Sequence, residues 1–171
     1  MKILLDTHYL LWAFIDTSKI SQSVYHKLLA DENEVFYSQA SLWEISIKFN
    51  MGKLSLKGMS PEEFYKEVEN SFFKCRPFKN DELISFYNLP IEHKDPFDRI
   101  MIWQSIKSDY YFLSVDTQVI KYKKYGLKQQ SNIQVSNKML SDQFDSNMAY
   151  WLYERIVSVI EKLLEVQNFF V

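Results

Sequence analysis

Short apolar runs alternate with helical patterns along the first 128 residues of the chain. The runs at 2–5, 34–38 and 110–115 are rich in aliphatic, β-branched or aromatic residues and predict three strands. Helical spacing of apolar residues predicts helices at about 8–15, 41–52 and 117–124, and others that begin after residues 21, 60, 80 and 95. Strands that alternate with helices predict an α/β fold, with a parallel sheet covered on both faces.

Two of the predicted helices begin with similar patterns. Asp95 before a proline is typical of an N-cap followed by the first helical residue. The stretches SLWE at 41–44 and DPFD at 95–98 both match the capping box, in which an acid at the third helical position bonds back to the cap. Glu44 and Asp98 are therefore expected in the first turns of their helices.

The last part of the chain has a different pattern. After a polar stretch, apolar residues follow one another at spacings that alternate between four and three, which predicts an amphipathic helix with a coiled-coil-like stripe. The stripe consists of Leu152, Ile156, Val159, Leu163, Val166 and Phe170. We therefore divide the chain into a domain at 1–128 and a C-terminal extension at 129–171. The helix of the extension either packs on its own domain or serves oligomerisation or partner docking.

The composition excludes several kinds of site. One cysteine leaves no internal disulfide, and three scattered histidines do not suit a Cys/His zinc site. Gly52, Gly58 and Gly126 are too far apart for a dinucleotide-binding turn or a Walker A loop. The sequence shows neither a secretory hydrophobic region nor an apolar stretch long enough for a membrane span, so we expect a cytoplasmic protein with no membrane partner.

Four acidic residues lie where an α/β sheet binds its ligands. Asp6 and Asp116 directly follow predicted strands, and the carboxyl ends of parallel strands meet at one edge of the sheet. Glu44 and Asp98 could project into the same crevice from the starts of their helices. Carboxylates gathered so closely repel one another unless a cation lies among them. Oxygen ligands suit a hard divalent cation, so the sequence predicts a Mg²⁺ or Mn²⁺ site.

Four stretches of the sequence resemble the signature segments of a known family. They are LLDTHYLLW, SLWEISIKFNMGKL, HKDPFDRIMIWQ and FLSVD. In their order and spacing they are similar to those of PIN-domain ribonucleases, specifically the VapC-type toxins of type II toxin–antitoxin pairs. The resemblance covers about three quarters of the chain, residues 1–128. It implies a PIN-like, Rossmann-like fold with a central parallel sheet and helices on both faces.

The resemblance also implies a site and an activity. The metal-binding and catalytic acids would be Asp6, Glu44, Asp98 and Asp116. Thr7 and Ser114 lie where the family carries supporting hydroxyls, although threonine is more usual than serine at the second place. The implied activity is a Mg²⁺- or Mn²⁺-dependent endoribonuclease that hydrolyses RNA phosphodiester bonds. The implied partners are the RNA substrate and a cognate VapB-like antitoxin that covers the acidic crevice, and we also expect a homodimer.

Basic residues near the acids are candidate RNA contacts. Once the four acids are set aside, residues 1–128 carry a net positive charge. The stretch KYKKYGLK contains Lys121, Lys123, Lys124 and Lys128, which either bind the RNA backbone or are ordinary surface residues. Arg99 is expected to contact either a phosphate or the neighbouring acids.

Some prominent residues are assigned structural roles. His93 is expected to orient the loop before the helix that Asp95 caps. Three tryptophans lie on apolar helix stripes, which predicts that they belong to the core; they are Trp12, Trp43 and Trp103.

Two rival function classes differ from the ribonuclease, namely another acid-cluster phosphotransfer enzyme and a non-catalytic PIN module. A haloacid-dehalogenase-like phosphatase needs a second aspartate two residues after the first, where this chain has His8. A receiver domain needs adjacent acids near the end of the first strand, and this chain has none there. A non-catalytic PIN module that binds RNA or a protein partner stays open as the alternative, because only an activity measurement separates it from a nuclease.

Overall fold

The computed structural model describes residues 1–129, which are built around a five-stranded sheet of parallel neighbours. The strands are β1 (Lys2–Leu5), β2 (Glu34–Ser38), β3 (Lys74–Arg76), β4 (Tyr111–Leu113) and β5 (Lys128–Gln129). Their order across the sheet is β3-β2-β1-β4-β5. The chain therefore extends the sheet to one side of β1 first and then adds β4 and β5 on the other side. This reversal creates a switch point between β1 and β4, where open α/β sheets bind ligands.

Helices connect the strands, as the alternating pattern predicts. The α-helices of the described part are α1 (Thr7–Ile15), α2 (Gln22–Leu29), α3 (Gln39–Asn50), α4 (Pro61–Glu69), α5 (Asn80–Ser85) and α6 (Pro96–Ser108). Shorter 3-10 helices lie at Thr17–Lys19 and Phe86–Asn88, and a longer one at Thr117–Tyr125 follows β4. The predicted α/β class is confirmed.

Buried apolar residues cover both faces of the sheet. Successive side chains of a strand point to opposite faces, so Phe36 and Tyr37 of β2 belong to two different clusters. Phe36 lies beside Leu4 of β1 and packs with residues of α6 such as Met101. Tyr37 packs with residues of α1 and α4, among them the fully buried Phe64. The sheet is thereby fixed between two helical layers, and its carboxyl edge is left to hold polar groups.

Helix α3 begins earlier than the sequence predicts. Its N-cap is Ser38, whose hydroxyl accepts a hydrogen bond from the Ala40 N–H at 3.0 Å. Ser41 lies inside the helix and is fully buried, so the capping box predicted for SLWE is wrong. As a result Glu44 lies in the second turn of α3 rather than the first.

Other differences from the sequence predictions concern short strands and one tryptophan. β3 and β5 are polar edge strands of three and two residues, which the apolar pattern does not reveal. Trp43 is 61% exposed, so its predicted place in the core is wrong. Its ring instead meets the edge of Phe97 at a centroid distance of 5.4 Å.

The described residues bear on two further predictions. Gln129, the first residue of the predicted extension, ends β5 and so belongs to the sheet. The rest of that extension, with its predicted amphipathic helix, lies outside the described residues. Within residues 1–129 no helix combines the length and the apolar character that crossing a membrane requires.

Candidate metal centre

Asp6 is held rigidly at the carboxyl end of β1. Its backbone N–H donates to the Leu113 carbonyl of β4 at 3.0 Å, and its side chain caps α1 by accepting from the Tyr9 N–H at 2.9 Å. The other carboxylate oxygen accepts from the Val115 N–H at 3.3 Å. Burial raises the pKa of Asp6, and hydrogen bonds from Ser114 and Tyr9 partly offset this. A buried carboxylate fixed between β1 and β4 lies at the switch point of the sheet.

Asp116 reaches the same switch point from the loop after β4. Its Oδ1 accepts from the Gln118 N–H at 2.7 Å, which caps the 3-10 helix that follows. The Ser114 hydroxyl accepts from the Asp116 N–H at 3.0 Å, so this serine bonds to both acids. Burial alone would raise the pKa of Asp116, but hydrogen bonds from Gln118 and His93 hold it below its usual value. Ser114 therefore links Asp6 at the end of β1 to Asp116 after β4, and its supporting role stays a prediction.

Glu44 lies beside Asp6 through a contact with Thr7. The Thr7 hydroxyl donates to Glu44 Oε2 at 2.6 Å, and Glu44 is only 3% exposed. The ammonium group of Lys48, one turn further along α3, forms an ion pair with the other oxygen. Lys48 was not predicted from the sequence, although its position four residues after Glu44 on a helix is typical of an ion pair. Burial lowers the pKa of Lys48, but its bond to Glu44 and nearby aspartates raise it overall.

Asp98 is a second acid whose pKa is raised at this site. It follows Asp95, which caps α6 as predicted by accepting from the Phe97 N–H at 2.8 Å. Burial raises the pKa of Asp98 to about 7, and the carboxylates of Asp95, Asp6 and Glu44 add to the increase while His93 opposes it. The acids from β1, α3 and α6 therefore lie within electrostatic reach of one another.

His93 joins the acids of α6 and of the loop after β4. Its Nε2 lies 2.8 Å from Asp116 Oδ2 and 3.6 Å from Asp98 Oδ2. The ligand-type atoms of these three residues all lie within 4.8 Å of one another. The other ring nitrogen, Nδ1, accepts from the Asp95 N–H at 3.1 Å. That N–H is the group to which a capping box would have directed Asp98, so the reciprocal bond predicted for DPFD is replaced by His93.

Arg99 contacts a backbone carbonyl and an aromatic ring. Its guanidinium donates to the Leu89 carbonyl at 3.0 Å and lies over the Phe86 ring at 4.8 Å. Its Nε is buried and has no hydrogen-bond partner among the described residues. Of the two contacts predicted for Arg99, an ion pair with the acids is not formed within residues 1–129.

The candidate RNA-binding lysines divide into two pairs. Lys124 forms an ion pair with Glu92 at 2.8 Å, and Lys128 forms one with Asp109 at 2.6 Å. Lys121 and Lys123 are exposed and make no ion pair within the described part of the chain. Only this second pair has an ammonium group that is not already directed to an acid.

The donor set of the site fits a hard divalent cation. Carboxylates from β1, α3, α6 and the loop after β4 supply oxygen atoms, which Mg²⁺ and Mn²⁺ prefer. The raised pKa values of Asp6 and Asp98 indicate that negative charge at this place is costly without a positive partner. The Lys48 ammonium forms a direct ion pair with Glu44 and interacts with Asp95 and Asp98 only at longer range. A bound cation would relieve the remaining repulsion.

An open parallel sheet with carboxylates gathered at its switch point defines an α/β protein with an acidic crevice. The profile of the PIN domain family matches residues 3–125. The match covers most of the chain, which therefore belongs to the PIN-domain family.

Two solved structures have a similar fold. VapBC2 from Rickettsia felis, crystallised with a DNA fragment from its promoter, contains a chain of 18% identity with a TM-score of 0.55. The structural match covers 76% of the PIN-family chain described above and 98% of the chain in the VapBC2 structure. VapBC-1 from nontypeable Haemophilus influenzae contains a chain of 12% identity with a TM-score of 0.54, with coverage of 77% and 98%. No curated protein matches this sequence.

Proposed function

We propose that this chain is a VapC-type toxin, a Mg²⁺- or Mn²⁺-dependent endoribonuclease of a toxin–antitoxin pair. The observation that carries the proposal is the convergence of the acids: Thr7, next to Asp6, donates to Glu44 at 2.6 Å, and the His93 ring lies 2.8 Å from Asp116 and 3.6 Å from Asp98. The raised pKa of Asp98, to which burial and the carboxylates of Asp95, Asp6 and Glu44 contribute, supports a single acidic cluster built from separate elements. Membership of the PIN family supports a nuclease, and the similar VapBC chains support the toxin subtype.

Asp6, Glu44, Asp98 and Asp116 would hold the cation in this proposal. When bound, a divalent cation activates water for attack on a phosphodiester and stabilises the charge on the leaving oxygen. The remaining groups prepare the acids. The Thr7 hydroxyl orients Glu44, and the Ser114 hydroxyl orients Asp6 and Asp116. The Lys48 ammonium forms an ion pair with Glu44.

RNA and an antitoxin are the proposed partners. Lys121 and Lys123 follow Asp116 along the chain and are exposed, and we propose that they contact phosphates of an RNA strand near the site. The partner chains in the two similar structures, which are VapBC complexes, support a VapB-like antitoxin that covers the acidic crevice. We also propose that the protein forms a homodimer and acts in the cytoplasm.

The proposal is tested by RNA cleavage with the purified chain. We expect Mg²⁺ or Mn²⁺ to support cleavage of bacterial RNA and EDTA to abolish it. Asp6→Asn removes one buried charge without removing the helix cap, because asparagine is also a good N-cap. This variant should lower cleavage by roughly 100-fold or more. Asp81→Asn is the matched control, because Asp81 is an exposed aspartate in the first turn of α5.

The same experiment addresses the alternative of a non-catalytic PIN module. In that case the unsubstituted chain would bind RNA or a co-expressed neighbour protein, yet cleave nothing with either metal at saturation. Equal cleavage by Asp6→Asn and the unsubstituted chain would instead refute the proposed site. In cells, expression without an antitoxin should arrest growth, and Asp6→Asn at an equal soluble level should remove the arrest.

A further inference from the structure

The loop between the 3-10 helix at 86–88 and α6 contains His93 and is fixed by one buried tyrosine. Tyr122 is fully buried in the core cluster that includes Met101 of α6. Its hydroxyl accepts from the Glu92 N–H at 3.1 Å and from the His93 N–H at 3.0 Å. It donates to the Pro90 carbonyl at 3.0 Å. A phenol hydroxyl can donate one hydrogen bond and accept two, so every hydrogen bond that the Tyr122 hydroxyl can form is made to this loop.

The contacts of His93 determine which ring nitrogen carries the proton. The Asp95 backbone N–H can only donate, and it lies 3.1 Å from Nδ1. Nδ1 must therefore offer a lone pair, so the ring is neutral with its hydrogen on Nε2. Nε2–H then donates to Asp116 Oδ2 at 2.8 Å. The His93 side chain is only 9% exposed, so water competes little for either bond.

This tautomer prevents His93 from acting as a metal ligand. A histidine binds a metal through the lone pair of a deprotonated ring nitrogen, and both lone-pair positions are accounted for. Nε2 carries the hydrogen, and the Nδ1 lone pair is occupied by the Asp95 N–H. Moving the hydrogen to Nδ1 would set two N–H groups against each other. The geometric group formed by His93, Asp98 and Asp116 therefore consists of two candidate ligands and one hydrogen-bond donor.

The two acids on either side of His93 belong to different parts of the fold. Asp98 is borne by α6, whose cap Asp95 bonds to His93 Nδ1, and Asp116 precedes the 3-10 helix that contains Tyr122. The Oδ1 atom of Asp116 accepts from Gln118 and its Oδ2 from His93. Each carboxylate oxygen can accept two bonds, so both oxygens keep capacity for a cation.

We propose that His93 is a positioning residue that holds Asp116 in the arrangement that binds the metal, and that Tyr122 and the start of α6 in turn fix the place of His93. The inference rests on the proposed function, because it concerns the affinity of that site for its cation. Partners of this kind, which orient metal ligands, typically change metal affinity or activity by roughly 10- to 100-fold when they are lost. The cation itself would be held by the acids alone.

Two substitutions at His93 separate its two contacts. Glutamine places an N–H at about the reach of Nε2 and keeps the bond to Asp116, whereas asparagine places an acceptor at about the reach of Nδ1 and keeps the bond to Asp95. Metal affinity is measured by titration calorimetry with Mg²⁺ and with Mn²⁺, and cleavage is measured as a function of metal concentration. Circular dichroism melting verifies that each variant is folded.

We expect His93→Gln to retain metal affinity within about threefold and His93→Asn to weaken it by roughly 10- to 100-fold. Cleavage by His93→Asn should recover substantially at saturating metal, because the acids that bind the cation remain. The ratio of Mn²⁺ to Mg²⁺ affinity should not change, since no nitrogen ligand is lost. Tyr122→Phe, which keeps the packed ring but loses the hydroxyl, should weaken metal binding in the same direction.

Nitrogen NMR of the unsubstituted chain gives a test that needs no variant. The ¹⁵N shifts of His93 should show the hydrogen on Nε2, both in EDTA and with Mg²⁺ present. A hydrogen on Nδ1, equal losses in the glutamine and asparagine variants, or a changed preference between the two metals would overturn the positioning role. Metal binding and cleavage by the unsubstituted chain would leave the proposed function standing in those cases. If that chain bound no metal at all, both proposals would fail.

Discussion

The substitution Asp98→Asn tests two properties of the acidic cluster separately. One is the charge repulsion that destabilises the metal-free fold, and the other is the binding of a cation. Asp98 is the third residue of α6, and its side chain is 20% exposed. Its pKa in the folded chain is about 7, against an ordinary value of 3.8, because of burial and then the carboxylates of Asp95, Asp6 and Glu44. Asparagine has nearly the same shape but carries no charge. The variant therefore removes the repulsion without opening a cavity.

The raised pKa predicts a loss of stability as pH rises in the metal-free protein. A carboxyl group whose pKa is higher in the folded state binds its proton more tightly there. Its contribution is therefore fully present below pH 3.8 and is lost as pH rises through about 7. The difference between the two pKa values corresponds to about 4 kcal/mol. Solvent reaches a fifth of the Asp98 side chain, so screening reduces the expected effect to about 2 kcal/mol.

Urea unfolding followed by tryptophan fluorescence measures this effect. In EDTA at about pH 7.5, Asp98→Asn should unfold with a free energy about 2 kcal/mol above that of the parent, and below about pH 4 the two should agree. Saturating Mg²⁺ should stabilise the parent and leave the variant nearly unchanged, because a ligand stabilises only a folded state that binds it. Cleavage should fall by orders of magnitude.

The exposed Asp81 provides the control for the loss of one negative charge. Asp81→Asn should change the free energy of unfolding by a few tenths of a kcal/mol at both pH values. If Asp98→Asn is less stable than the parent in EDTA at about pH 7.5, the charge of Asp98 does not destabilise the metal-free fold. If Mg²⁺ stabilises the variant and the parent equally, Asp98 is not a ligand.

Three further predictions concern other contacts of the domain. Glu82→Gln should lower the free energy of unfolding by about 3 kcal/mol in urea titrations, because it leaves the buried Arg76 without its anionic partner; a loss below about 1 kcal/mol would contradict this. Ser60→Ala should lower it by about 1 kcal/mol through loss of the α4 capping box, and an unchanged midpoint would count against that cap. In EDTA, Lys121→Ala should reduce the salt dependence of RNA binding by about one unit of slope. Lys128→Ala should reduce it less because that ammonium is paired with a carboxylate, and the reverse order would exclude Lys121 as a phosphate contact.

The parts of the site that follow from the strand pattern were predicted from sequence. Asp6 and Asp116 each follow an apolar run, and the rule that parallel strands present their carboxyl ends together is enough to bring them to one edge. The PIN family match confirms the resemblance carried by the same segments. The roles of the four acids stay predictions until cleavage is measured.

The start of α3 shows where local signals are insufficient. Ser38 and Ser41 are both good N-cap residues, and only SLWE completes a capping box in the sequence. The structure uses Ser38, whose hydroxyl also donates to Gln104 of α6 at 2.6 Å. A partner 66 residues away therefore decides the helix start, and no window of local sequence contains it.

The environments of His93 and Trp43 also depend on residues that are distant in sequence, so local patterns did not predict them. The partner of His93 Nε2 lies 23 residues further along the chain, and a lone histidine gives no signal of it. Trp43 lies on an apolar stripe that predicts burial, but its ring contacts Phe97 of α6 and stays largely exposed. β3 and β5 are recognised as strands only by their pairing with β2 and β4.

The position of β1 in the middle of the sheet has a consequence for the protein during its synthesis. The bond from the Val115 N–H to Asp6 joins residues 109 positions apart, and Asp116 follows immediately. At about 5–20 residues per second, the ribosome adds that intervening stretch in roughly 5 to 20 s. A nascent chain that stops short of β4 has an unpaired edge on β1 and lacks the fourth acid. Under the proposed function such arrested chains have an incomplete metal site, so the growing polypeptide would gain nuclease activity only when synthesis of the domain is almost finished.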